Sequence, residues 1–318
     1  MHTFFLLSAL LLVAVLSGLG AVLLQVAPPT GRRPLALVTL AAPPIVLALA
    51  VAHLIPHFWP DCAPLVGWDR VATFALLGTL GAVVVGATVL NVARQALVER
   101  LLLVCPVVSD RAVTATAAEL AQAVATAVPT VRVLPTAAPL AVSGGLWRPT
   151  IVLSAWLVEH LDRRELQAVL GHEMVHLARR DHLVRWLARL LRDATAYLPG
   201  SWYALQALEA DEELTADALA VAATQRPLAM ASALGKVWRA VIATPQPTGV
   251  VGVPAYAGAS AAQLEERVRR LMEGRAHCAP PIAGRLLAGI TVVSVGELAP
   301  RLLAFSATAL PLVCTLRH

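Results

Sequence analysis

The residues whose types and spacing could do chemistry lie at positions 172 to 176. In Gly171-His172-Glu173-Met174-Val175-His176 two imidazoles stand four residues apart. On an α-helix that is about one turn, so both project from one face and can hold one Zn²⁺. Glu173 points roughly 100° around the helix from His172. There a carboxylate lies beside the metal and can act as general base, taking a proton from the attacking water. The helix itself is expected because Asp162 and Glu165 make a capping-box start. Leu166, Val169, Leu170, Leu177, Trp186, Leu187 and Leu190 then recur at helical spacing. An amphipathic helix carrying two chance histidines would show the same pentapeptide. The apolar neighbours Val169, Leu170, Met174 and Val175 suit a buried catalytic helix better than a solvated one.

A catalytic zinc wants a third protein ligand and an open position. No third histidine follows at the H-E-x-x-H-x-x-G-x-x-H distance, where Arg179, Arg180 and His182 stand instead. The next acidic cluster runs from Glu209 to Asp217, and within it Glu213 and Asp217 share a helical face. Glu213 is read as the third metal ligand. Asp217 is read as the carboxylate that orients a zinc-bound imidazole from behind. Glu209, on the same face, is the alternative ligand, and a solvated acidic helix end is the bland reading of the cluster.

Whatever positions these residues is largely embedded in a membrane. Of 318 residues, 58% are hydrophobic and only 14% charged, and the mean hydropathy is +0.71. A soluble domain carries about a quarter charged residues, so one aqueous core cannot hide this apolar surface. Disorder is excluded on the same ground. Spans of roughly 20 apolar residues are expected at Phe4–Val26, Leu35–Ile55 (kinked at Pro43-Pro44) and Val71–Val92. A tight basic turn over Pro28–Pro34 joins the first two, and Trp59 and Trp68 serve as interfacial anchors. A fourth span is expected from Glu297 or Leu298 to Leu316, with an intramembrane Glu297–Arg301 pair as the functional alternative. The domains are then residues 1–93 with three transmembrane helices, 94–285 as a cytoplasmic zinc metallopeptidase domain, and 286–318 as the fourth helix and a short tail.

Arg32, Arg33, Arg94 and Arg100 share one side with residues 94–285, while the opposite loop carries Asp61, Asp69 and Arg70. The positive-inside rule places that side in the cytoplasm and both termini outside, in a multi-pass protein of the cell membrane. The net charge of +5 needs no nucleic acid to explain it, since the basic residues form no long run. Cys62, Cys105, Cys278 and Cys314 show no C-x-x-C spacing, which argues against a cysteine zinc site or a disulfide framework. Topology alone would bring Cys62 and Cys314 to the same face.

Gly171 to Asp181, followed by Glu213-x-x-x-Asp217, resembles the BlaR/MecR-type membrane metallopeptidases. Pro139 to Ser154 and the order of three spans before the domain and one after it are similar too. The resemblance implies a multi-pass α-helical membrane protein with a cytoplasmic α+β zincin-like (gluzincin) metallopeptidase domain. In that family His172, His176 and Glu213 would be zinc ligands and Glu173 the catalytic base. Asp181 falls where the family often has an acidic residue and is given no role. Val131–Leu134, Ala141–Ser143 and Thr150–Leu153 read as short strands with a turn at Gly144-Gly145. Ala141, Val142 and Ser143 would form an edge strand that pairs with extended substrate, or a hairpin that only covers the core.

The family's sensor half, with its Ser-x-x-Lys nucleophile, has no counterpart here, because Lys236, the one lysine, has Ala233 three residues before it. Regulation is therefore expected from a sensor partner, a homodimer, a small signal at the outer loop or the membrane itself. The implied substrate is a cytoplasmic protein, a winged-helix repressor of the BlaI/MecI kind, within a signalling pathway. Two readings compete: an HtpX-like quality-control peptidase, and a non-catalytic receptor that keeps the zinc fold. Three spans before the zinc helix and about a hundred polar residues after it argue against the first. An intact Glu173 argues against the second. Tyr256, in a Pro- and Gly-rich loop, and Arg269-Arg270, as a self-processing site, carry weaker readings.

Overall fold

The computed structural model describes residues 2–55, 67–107, 111–145, 148–243 and 261–273. Three of its helices are long and apolar enough to cross a membrane. They are α1 (His2–Val26), α2 (Pro29–Leu54) and α3 (Gly67–Val104). The second begins earlier than its composition suggests: the helix starts at Pro29, so Arg32 and Arg33 lie in its first turns rather than in a loop. Proline at the first helical position costs nothing, because that N–H has no helical partner anyway. The third runs 38 residues, about 57 Å at 1.5 Å per residue and well beyond a bilayer's hydrocarbon thickness. Nothing between Val92 and Val104 breaks a helix, and it ends just before Pro106, which disfavours helical backbone at the preceding residue. The expected fourth span, Glu297 and Arg301, Cys62, Cys278 and Cys314, Trp59 and Tyr256 lie outside the described residues.

The described residues fall into two compact units. One comprises the chain up to Leu90 together with Leu187–Asp211. In it the starts of α1 and α3 meet at Asp69, whose carboxylate accepts from the backbone N–H groups of His2 (3.3 Å) and Thr3 (3.1 Å) and from Thr3 Oγ1 (2.8 Å).

The other unit runs over Asn91–Trp186 and Glu212–Cys278. After α4 (Arg111–Ala123) come three strands, β1 (Thr130–Leu134), β2 (Ala141–Gly144) and β3 (Thr150–Ser154). The sheet order is β1-β3-β2. β3 pairs parallel with β1, Val131 opposite Ile151, and antiparallel with β2, Val142 opposite Val152. β2 is therefore an edge among the described strands. The helices α5 (Ala155–His160), α6 (Arg163–Arg179), α7 (Asp181–Ala194), α8 (Pro199–Thr224), α9 (Pro227–Ala243) and α10 (Ala261–Met272) follow.

The core of this unit is built around α6, which is buried continuously from Ala168 to Leu177. Val169, Leu170 and Met174 pack with Leu120, Ile151, Leu153 and Val237. Ala168 and Val175, on another face, pack with Ala216, Ala220, Leu234 and Leu271. Both faces are apolar because strands lie on one side of the helix and helices on the other. The capping box forms: Asp162 Oδ1 accepts from the N–H groups of Arg164 (2.7 Å) and Glu165 (2.9 Å), and Glu165 Oε2 accepts from Asp162 N–H (2.8 Å). Gly171 allows α8 close, since a Cβ there would stand 3.2 Å from Thr224 Cγ2 and 3.8 Å from Ala220 Cβ.

Candidate metal centre

His172 and His176 project from α6, and Glu213 from α8. Each residue offers a ligand atom to one small volume. His172 Nε2 and His176 Nε2 are 3.1 Å apart. Glu213 Oε2 lies 3.3 Å from the first and Glu213 Oε1 3.5 Å from the second. Bonds of about 2.0–2.2 Å at tetrahedral angles separate ligand atoms by about 3.3–3.5 Å. The three donors thus have the spacing of one face of a zinc tetrahedron, and the residues fit the ion.

The far side of each imidazole turns to a carboxylate. His176 Nδ1 is hydrogen-bonded to Asp181 Oδ2 at 2.9 Å. His172 Nδ1 lies 2.9 Å from Asp217 Oδ1, close but poorly aligned for donation. A carboxylate behind Nδ1 keeps the proton there and leaves Nε2 as the lone-pair nitrogen. Two such lone pairs facing each other at 3.1 Å repel unless a cation sits between them. Burial alone would discharge His172, yet Asp217 and Glu213 outweigh it and lift the imidazole to about 9. His176 is raised against its burial by Asp181 and Glu213.

Two arginines complete the electrostatics. Arg267 of α10 is buried and chelates Asp217 through Nε (2.6 Å) and Nη2 (2.7 Å), with Nη1 3.1 Å from Glu213 Oε2. Burial would raise both carboxyls, but the guanidinium and the imidazoles hold Glu213 well below, and Asp217 below, the usual range. Arg185 of α7 reaches Glu212 Oε2 (2.6 Å) and Glu213 Oε1 (2.7 Å).

A cavity of about 70 Å³ opens over these groups, lined by His172, His176, Glu213, Glu173, His182, Arg185 and residues 141–143 of β2. Glu173 is 3% exposed, and among the described residues its carboxylate has no hydrogen-bond or ion-pair partner. Glu209 is engaged elsewhere, by Arg189 at 2.9 Å.

Sequence reasoning left three of these residues without a role. Asp181 reaches His176 because Arg180 adopts left-handed backbone, φ 54°, and turns the chain back after α6. Arg267 had a legible signal, since it falls between Leu264, Val268 and Leu271 on the apolar face of its helix, where an unpaired charge would be costly. Arg185 had none beyond its place on an amphipathic helix.

A Protease HtpX homolog from Methanopyrus kandleri is 40% identical over 55 residues, 17% of this chain and 17% of that protein. This chain therefore matches only about a sixth of that relative's length. The BlaR1 peptidase M56 family matches residues 64–271, about two thirds of the chain and all of the described cavity-lining residues. The chain belongs to the BlaR1 peptidase M56 family.

Proposed function

We propose that this protein is a membrane-anchored zinc endopeptidase that cleaves a cytoplasmic protein. The observation that carries the reading is the convergence of His172, His176 and Glu213 on one point, with Glu173 lining the same cavity. Zinc bound there would supply Lewis-acid polarisation of the scissile carbonyl and of the attacking water. Glu173 accepts the proton of that water and hands it to the leaving amine. Asp181 and Asp217 hold the two imidazoles in the tautomer that presents Nε2. Arg267 keeps Asp217 and Glu213 ionised. β2, as an edge strand whose residues 141–143 line the cavity, pairs with extended substrate backbone.

The substrate we favour is a winged-helix repressor of the BlaI/MecI kind, whose cleavage releases transcription, which places the enzyme in a signalling pathway. The likeness to a Protease HtpX homolog supports a second reading, a quality-control peptidase acting on unfolded or membrane proteins. Incubating the reconstituted protein with a repressor and with an unfolded casein separates the two. Cleavage at one bond of the repressor, with casein intact, supports the first; indiscriminate cleavage of casein supports the second. Glu173→Gln keeps the side-chain shape and removes the base. It should retain about the parent's zinc content and lose cleavage by about 10²–10⁴-fold. A Glu173→Gln protein that cleaves as fast as the parent refutes the peptidase reading.

A further inference from the structure

The turn between α7 and α8 is seated on α1 and α2. Leu198 is buried in one apolar cluster with Val13 of α1 and Val46 of α2, flanked by Leu12, Leu16 and Leu47. Gly200 comes so near α1 that a Cβ there would stand 2.2 Å from the backbone oxygen of Ser17, an approach that only glycine permits. The depth of this contact decides its meaning. The apolar windows run over His2–Val26 and Gly31–Leu54. Val13 lies at the middle of the first, and Val46 about one turn from the middle of the second. Whatever touches both helices there sits at the centre of the layer that they cross.

We infer that residues 187–211 form a re-entrant helical hairpin, entering the bilayer beside α1 and α2 and returning to the side it left, with lipid acyl chains against its outer face. The exposed side chains of this hairpin include Leu187, Tyr197, Trp202 and Tyr203, an apolar and aromatic surface suited to lipid and its interfaces. Three polar side chains at its turn are hydrogen-bonded within the hairpin, as hydrocarbon favours. Thr195 Oγ1 donates to Leu191 O (2.7 Å), the Thr195 and Ser201 hydroxyls are 2.8 Å apart, and Trp202 Nε1 donates to Ala196 O (2.9 Å).

The charges nearest the turn are paired within the hairpin. Arg189 and Glu209 join the two limbs at 2.9 Å, nine to eleven residues from Gly200. Along α8 the rise from Pro199 to Glu209 is about 15 Å at 1.5 Å per residue, half of a roughly 30 Å hydrocarbon core, which puts the pair near the interface. Arg192, closer to the tip, is paired with Asp193 at 2.7 Å and lies over the Trp202 ring at 4.1 Å. The hairpin would thus take residues 187–211 out of the water-soluble domain. The inference rests on α1 and α2 crossing the membrane, and the test separates the two claims.

Single cysteines at Leu11, Tyr197 and Tyr203 are introduced into the full chain with Cys62, Cys105, Cys278 and Cys314 replaced by serine. Each is labelled with an environment-sensitive fluorophore and reconstituted in phosphatidylcholine vesicles. Quenching by lipids carrying a nitroxide deep in the acyl chain is compared with quenching by aqueous iodide. The hairpin predicts that labels at 197 and 203 respond to the lipid nitroxide severalfold more than to iodide, as the exposed Leu11 on α1 does. Lipid quenching at Leu11 with only iodide quenching at 197 and 203 overturns the hairpin and leaves the spans standing. Iodide quenching at all three overturns both. A pair of cysteines at Val13 and Leu198, oxidised in intact membranes, checks the docking without any label: a disulfide is expected, and its absence in folded protein refutes the contact.

Discussion

Two imidazole nitrogens 3.1 Å apart, each ring backed by a carboxylate, form a pair that holds together only around a cation. The motif spacing made His172 and His176 legible, because one turn of helix puts i and i+4 on one face. Glu213 and Asp217 were read as a second i, i+4 pair with Glu213 preferred as ligand, although spacing alone left Glu209 open on the same face. That choice is tertiary, and metal analysis tests it. Glu213→Ala should drop zinc from about one per chain to a small fraction, whereas Glu209→Ala should leave it unchanged; the reverse result moves the ligand to Glu209. Arg267 was legible as a charge on an apolar helix face, but its partner was not, since Asp217 is 50 residues away. Removing one member of a buried ion pair strands the other, at a cost of about 3–5 kcal/mol. Arg267→Ala is therefore expected to lower the denaturant midpoint sharply. A loss below about 1 kcal/mol would mean that water replaces the guanidinium.

At the scale of elements, α6 was the most readable piece, because its start is encoded within four residues. Glu165 does more than cap: its Oε2 also accepts from Lys236 Nζ (2.7 Å) and its Oε1 from Ser232 Oγ (2.6 Å), tying α6 to α9. Burial would raise its pKa, but Lys236, Ser232 and the Asp162 N–H together lower it from 4.5. A carboxyl depressed in the folded state stabilises fully above its unfolded value and loses that contribution as the pH falls through the folded value. Glu165→Gln should thus cost about 1–2 kcal/mol at neutral pH. The gap to the parent should shrink below about pH 4.5, as urea denaturation at several pH values would show; a gap independent of pH would assign the loss to packing. The strands were legible to within a residue at each end. The turn at Gly144-Gly145 made the antiparallel β2–β3 hairpin legible; the parallel pairing of β1 with β3 was not, because period-2 alternation says which face is buried and not which neighbour pairs. The grouping of Leu187–Asp211 with the spans was hidden for another reason. Arg189, Arg192 and Asp193 dilute the local hydropathy, and only the structure shows those charges paired.

At the scale of the whole molecule, the question is which side of the membrane each helix end faces. Asp69 receives the first backbone N–H groups of α1, so α1 and α3 start on the same side and run parallel, with α2 antiparallel between them in chain order. That fixes the relative directions and leaves one absolute choice. Arg32 and Arg33 in the first turns of α2, with Arg94 and Arg100 late in α3, lie at the ends opposite to Asp69. On the positive-inside rule, those ends, and the residues that follow α3 in the chain, are expected in the cytoplasm. A reporter active only in the cytoplasm, inserted after Thr126 in the connection between α4 and β1, should be active, and the same reporter fused ahead of Met1 should be silent. A phosphatase active only outside should give the opposite pattern. Replacing Arg32 and Arg33 by glutamate removes half of the basic bias and should shift part of the population toward the inverted pattern, because orientation follows the difference in charge between loops. If the insertion after Thr126 is silent in the parent while the phosphatase there is active, the cytoplasmic assignment is wrong. A repressor could not then be the substrate, even with the zinc chemistry intact.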